Sequence, residues 1–182
     1  MRRTVVLFLV VVACFALPLF AQEKEMTKEA MPSMMPPKPL EDDFLKWTVG
    51  EWEGTTTSPE GLSQDWQKNE MALDGQFVLT HYTAKTPAFN YKGMGLMSIN
   101  PITGEVFGYW FDSMRGVYNG KGKREGNKIT AHWEGPMGMA RDETMEKVSD
   151  DKFVIMFKQK MPDGNAMEGR TELTRKKMTT KM

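Results

Sequence analysis

The chain has 182 residues, enough for one domain with a sizeable core. Its 24 basic and 24 acidic residues balance, which removes the electrostatic case for nucleic acid, whose partners carry a basic patch. One cysteine cannot build a disulfide framework within the chain.

Met1-Arg2-Arg3 is a basic n-region, Thr4 to Phe20 is apolar, and Ala21 precedes Gln22. This reads as a secretory signal peptide over 1–21, so the expected location is exported, periplasmic or extracellular. Two other readings stay open. An apolar run of about 17 positions sits at the lower limit for a membrane anchor. Val11-Val12-Ala13-Cys14 loosely matches a lipoprotein box, although apolar residues follow Cys14 where polar ones are usual. Cleavage after Ala21 removes Cys14, Arg2 and Arg3, leaving 22 basic against 24 acidic residues and no thiol.

Residues 22–39 read as a disordered spacer. Met31-Pro32-Ser33-Met34-Met35-Pro36-Pro37-Lys38-Pro39 lacks donors and forbids helix or central strand. Leu40–Trp47 reads as a short helix, with Glu41, Asp42 and Asp43 in its first turn and Phe44, Leu45 and Trp47 on an apolar side. It is placed to close one end of the domain.

From Thr48 the period becomes two. Strands are expected at Glu51–Thr57, Ser63–Leu73, Gln76–Lys85, Tyr91–Ile99, Glu105–Asp112, Gly116–Arg124, Lys128–Glu134, Asp142–Val148, Lys152–Met161 and Ala166–Lys176. Gly, Pro, Asn and Asp clusters punctuate them every 8–12 residues, and no amphipathic helix intervenes. The expected fold is all-β: an antiparallel up-and-down barrel of about ten strands over 40–177, one short N-terminal helix closing an end, and a tail at 178–182. Such a barrel has room for a small ligand.

Asp74-Gly75 suits a two-residue hairpin and sets a register that pairs Trp66 with Thr83, Lys68 with His81, Glu70 with Leu79 and Ala72 with Phe77. The face with the larger apolar groups is expected inside. Trp66, Lys68, Glu70, Phe77, Leu79 and His81 then line the interior, joined by Tyr109 and Phe111 from the fifth strand. Buried Lys68, Glu70 and His81 would either satisfy one another or face a ligand. Phe153, Ile155 and Phe157 form one apolar face, as do Ile129, Ala131 and Trp133, which leaves His132 outside.

His81 and His132 are the only histidines, and no metalloprotease, nucleophile-elbow or phosphate-loop spacing occurs. No metal or cofactor is expected. The 17 methionines fall in unlike contexts and suit gap-filling better than a Cu(I) site. Three functions stay in view: an exported barrel binding a small, largely apolar molecule; a hydrolase- or isomerase-like enzyme using Glu70 and His81; and a structural or envelope-stress protein with a filled core and an apolar patch outside. The oligomeric state and the ligand's identity are not legible.

Phe44-Leu45-Lys46-Trp47-Thr48-Val49-Gly50-Glu51-Trp52-Glu53-Gly54, then Glu70 to Phe77, Gly104 to Ser113 and Thr174-Arg175, resemble the domain-of-unknown-function family 1579 over roughly 41–177. The resemblance implies a calycin-type barrel and no established activity. The G-x-W-x-G start is also similar to lipocalins and to nitrobindin-like haem barrels. The lipocalin likeness implies that Trp52, after Gly50, plugs the barrel floor with Arg175 stacked across it. The haem barrels use a histidine late in the chain. None follows His132 here, so haem is not expected, although ligation by Met or Tyr stays formally open.

Overall fold

The computed structural model describes residues 38–177. The signal peptide expected at 1–21, the expected spacer up to Pro37 and the expected tail at 178–182 lie outside the described residues. The chain enters in extended form, with the Leu40 N–H donating to the Gly75 carbonyl at 2.9 Å. The helix α1 (Asp43–Thr48) then starts three residues later than expected. Its boundary is set by Asp42, which stands as the N-cap and accepts from the Leu45 N–H at 2.8 Å. The helix buries Phe44 and Leu45.

Ten strands follow: β1 (Gly50–Ser58), β2 (Gly61–Ala72), β3 (Phe77–Lys85), β4 (Asn90–Ile99), β5 (Val106–Asp112), β6 (Val117–Glu125), β7 (Lys128–Glu134), β8 (Ala140–Ser149), β9 (Lys152–Lys160) and β10 (Ala166–Arg175). Each pairs antiparallel with its sequence neighbour, and β10 returns to pair with β1, closing the barrel. Closure leaves no unpaired edge. The expected up-and-down barrel of ten strands with one closing helix is the fold observed. Asn100 shows how the turns hold: its Oδ1 accepts from the Ile102 and Thr103 N–H groups, and Gly104 at φ 71° ends the turn.

The β2–β3 connection is longer than the expected two-residue hairpin. Leu73, Asp74 and Gly75 all take positive φ, and the first ladder pair is Ala72 with Phe77. The register is nonetheless the expected one: Lys68 opposite His81, Glu70 opposite Leu79, Trp66 opposite Thr83.

The facing of these strands is opposite to the expectation. Ser63, Asp65, Gln67 and Asn69 are the buried positions of β2, and Trp66, Lys68 and Glu70 turn outward. Phe77, Leu79 and His81 follow them outward on β3, as do Tyr109 and Phe111 on β5, where Gly108 and Trp110 point in. Parity explains the inversion. Trp52 has no exposed surface and lies directly opposite Gln67, so an inward Trp52 forces Gln67, Asp65 and Asn69 inward. The larger apolar groups of β2 and β3 lie outside because Trp52, Phe153 and Leu173 from β1, β9 and β10 already fill the centre.

At the helix-capped end, Trp52, Phe153 and Leu173 form a cluster with no exposed surface. Beside it, Leu40, Phe44, Leu45, Val78, Val106 and Ile129 join into the second half of this floor. Trp47 bridges the two clusters, with its ring centroid 5.2 Å from Trp52 and 5.9 Å from Phe153.

Candidate functional site

Gly50 sits at φ 133°, and Arg175 lies immediately against it. The Arg175 guanidinium carbon is 4.1 Å from the Trp52 ring centroid. Its two terminal nitrogens donate to the Val49 and Trp47 carbonyls at 2.7 and 2.6 Å, so it caps the open carbonyls where α1 meets β1. The indole of Trp52 donates to the Thr48 carbonyl at 2.7 Å. Gly50, Trp52 and Arg175 thus form a structural plug in which the Trp52 indole and both terminal nitrogens of Arg175 are hydrogen-bonded to carbonyls.

The opposite end of the interior is built differently. Inward positions there carry Asp65, Tyr82, Tyr91, Trp110, Asp112, Tyr118, Arg141 and Glu143, and all but Asp65 keep some solvent exposure. An inward side chain can be exposed only toward the barrel lumen or its ends, so solvent reaches this wet half, whereas the floor is centred on Trp52, Phe153 and Leu173, which have no exposed surface. The room comes partly from glycine. Trp110 lies flat over Gly93 and Gly95, and Trp133 lies over Gly120, where a Cβ would collide with the ring in each case.

Three carboxylates, on β2, β5 and β8, organise this half. Asp65 is 4% exposed and accepts from the Ser63 hydroxyl at 2.6 Å and from Thr56, which also bonds Thr171. Asp112 accepts from the Met114 and Gly116 N–H groups at 2.9 and 2.7 Å and from Tyr91 at 3.4 Å; Tyr91 itself accepts from the Trp110 indole at 2.8 Å. Glu143 accepts from the Trp133 indole at 2.9 Å and from Arg141 Nε at 3.0 Å, while the Arg141 guanidinium stacks 3.9 Å over Phe157. Tyr82 packs edge-on against both Tyr91 and Trp110, with centroids 6.1 Å apart in each pair.

Burial raises the phenol pKa values of Tyr82, Tyr91 and Tyr118 above the ordinary value of 10.0, and nearby carboxylates add to it, Asp65 for Tyr82 and Asp112 for the other two. The phenols therefore stay neutral donors at physiological pH. Chemically, this half offers aromatic faces, hydroxyl donors and carboxylate acceptors around a solvent-reached space. Among the described residues no group of three side chains is arranged to hold a metal.

The residues expected to line the cavity stand on the outer wall. Lys68 Nζ lies 2.7 Å from Glu70 Oε2, and His81 Nε2 is 4.0 Å from the other carboxylate oxygen. That hydrogen bond raises the Lys68 pKa and lowers that of Glu70. All three side chains are more than 40% exposed, with nothing enclosing them, which leaves general acid–base work by Glu70 and His81 without a pocket. Phe77 packs against Phe107 at 5.9 Å, and Leu79, Leu96 and Tyr109 form one cross-strand row on the same outer wall as Phe111 and Trp66. His132 is also outside, 2.6 Å from Asp142.

The residues of the wet half carry no sequence motif, so local patterns miss them. Counting parity from Trp52 through the β1–β2 hairpin, which pairs Ser58 with Gly61, would have found Asp65. Trp133 lies inside with Ile129 and Ala131, and its β8 partner Arg141 stands one residue before the strand start expected there.

Among solved structures the barrel is similar to an S-type phycobiliprotein lyase from Guillardia theta, with a TM-score of 0.59 at 12% identity over 75% of this chain and 92% of that one. A de novo designed fluorescence-activating β-barrel aligns at a TM-score of 0.46 and 14% identity, over 74% of this chain and 99% of the design. The first likeness is one of fold, and the second carries no argument. No curated protein matches the chain. A family model matches residues 39–175, from the approach to α1 to the last residue of β10, and the chain therefore belongs to the family described as protein of unknown function (DUF1579).

Proposed function

We propose that the barrel binds a small molecule in the half of its interior remote from α1. The observation that carries this reading is the division of the lumen: the inward side chains Tyr82, Tyr91, Trp110, Asp112, Tyr118, Arg141 and Glu143 remain solvent-reached and chemically varied, against a floor centred on Trp52, Phe153 and Leu173, which have no exposed surface. A protein that only needed a stable barrel would gain by filling both halves alike. The aromatic walls of Tyr82, Tyr91, Trp110 and Trp133 suit a flat apolar body, and the hydroxyls and carboxylates suit a polar group on it. Native mass spectrometry of protein purified from its own host tests the reading. A co-purifying small molecule that is lost in Trp110→Ala but retained in His81→Ala supports it. Bare protein, together with no response of Trp110 fluorescence to any added small molecule, overturns it.

Export is part of the same proposal, resting on Met1 to Ala21. N-terminal sequencing of the mature protein is expected to begin at Gln22. A lipidated Cys14 or an intact Met1 would replace a free exported barrel by an anchored one.

A further inference from the structure

Charge in the wet half of the lumen does not balance. Among the described residues Arg141 is its single inward cation, and Glu143 takes it at 3.0 Å while Phe157 covers one face of the guanidinium. Asp65 and Asp112 have no ion-pair partner among the described residues. Asp112 sits at the mouth and is stabilised by the N–H groups of the Ser113–Gly116 turn. Asp65 has no such help: it is 96% buried, and the groups that hydrogen-bond it, Thr56, Ser63 and Tyr82, are all neutral hydroxyls. A desolvated carboxylate without a counter-charge is costly, and structures retain one where something else supplies the charge. Beside these two carboxylates stand Tyr82, Tyr91 and Trp110, whose ring faces carry negative quadrupole potential and attract cations. Burial keeps Tyr82 and Tyr91 in their neutral form, so their rings serve as cation-attracting faces while their hydroxyls stay protonated.

From this excess of negative charge beside electron-rich rings we infer that the ligand is an organic cation: an aromatic or apolar body bearing an ammonium group, which lodges between Asp65 and Asp112 against Tyr82, Tyr91 and Trp110. The inference rests on the small-molecule reading above and narrows it. Two carboxylates over the one paired guanidinium would repel an anion, and a neutral apolar guest would leave Asp65 without a counter-charge. The lumen therefore discriminates by charge sign first and by shape second.

Three probes with one aromatic body separate the outcomes: 2-naphthylmethylammonium, 2-naphthylmethanol and 2-naphthoate, titrated into the full chain and read by calorimetry and tryptophan fluorescence. The cation is expected to bind tightest, by roughly tenfold or more over the alcohol, the scale of one well-placed desolvated charge contact. Asp65→Asn, which keeps the side-chain shape, is expected to erase most of that preference by weakening the cation far more than the alcohol. Asp112→Asn gives a second reading should Asp65→Asn fold poorly, since Asp112 lies at the mouth. Equal binding of cation and alcohol, tighter binding of naphthoate, or a cation preference unmoved in both variants overturns the organic-cation inference and leaves the small-molecule reading standing. Failure of all three probes to enter the lumen, together with bare protein from the native host, overturns both.

Discussion

At the helix-capped end of the lumen, Trp52, Phe153 and Leu173 have no exposed surface. Two to four residues further along the same strands, the inward positions are Thr56, Phe157 and Thr171, facing Asp65, Tyr82, Trp110 and Glu143 from the rest of the ring. One sheet thus builds two environments within about two residue pairs of rise, roughly 13 Å along a strand. The floor spends its aromatics on packing, edge to face, with both plugging donors, Trp52 and Arg175, bonded to carbonyls. The mouth half sets its aromatics against glycines and ties each indole or phenol to an acceptor, which fixes ring orientation without closing the space. Stability and the proposed binding are therefore expected to be separable along the barrel axis, and substitutions should report on one or the other.

The sharpest way to break this contrast is truncation of a tryptophan at each end. Trp52→Ala is expected to cost about 3–5 kcal/mol in urea unfolding, by transfer and cavity terms together. Trp110→Ala, at a half-exposed site, should cost less than about 2 kcal/mol. Equal losses would mean that the lumen is one continuous core. Next in size, Arg175→Met removes two charge-assisted bonds to carbonyls and the stack on Trp52, for about 1.5–3 kcal/mol, and leaves small-molecule binding intact. Gly95→Val drives a side chain into Trp110 and should cost about 1–3 kcal/mol while visibly altering the near-UV circular dichroism of the mouth half.

Alkali should act on the mouth half before the floor. Tyr82, Tyr91 and Tyr118 hold their protons more tightly folded than unfolded. Between the ordinary value of 10.0 and the raised folded values, the unfolded chain binds fewer protons, so stability is complete below pH 10 and falls as pH rises above it. Phenolate absorbance from these three should lag and then appear with unfolding; prompt ionisation above pH 10 with the fold intact would place them in open water. Smallest of all, His81→Ala on the outer wall should leave both the unfolding midpoint and ligand binding unmoved.

How far these features could be read from the chain follows the same division. Turn chemistry is local, so Asn100-Pro101 to Gly104, Gly126-Asn127 and Asp163-Gly164 announced the ten strands and hence the closed meander. Trp52 and Arg175 were legible through their likeness to lipocalin floors. The mouth half was hidden because facing is a parity, and parity is set by pairing across the whole sheet. Apolar outer residues such as Trp66, Phe77 and Leu79 imitate a core face when one hairpin is considered alone. Asp65, flanked by Gln64 and Trp66, carries no local sign that Thr56 and Ser63 will surround it.

The Arg175 plug has one further consequence, for the order of events in folding. Its bonds to Val49 and Trp47 span 126 and 128 residues, and β10 is the partner that joins β1 to β9. Until that last strand has been synthesised, the chain is a curved ribbon with two raw edges, β1 and β9, and the Trp52 pocket lacks its lid. Non-local closure of this kind is slow relative to the hairpins that precede it. The rate-limiting step of folding is therefore expected to be the docking of the C-terminal strand, and a chain ending before β10 should expose both edges to pairing with its neighbours.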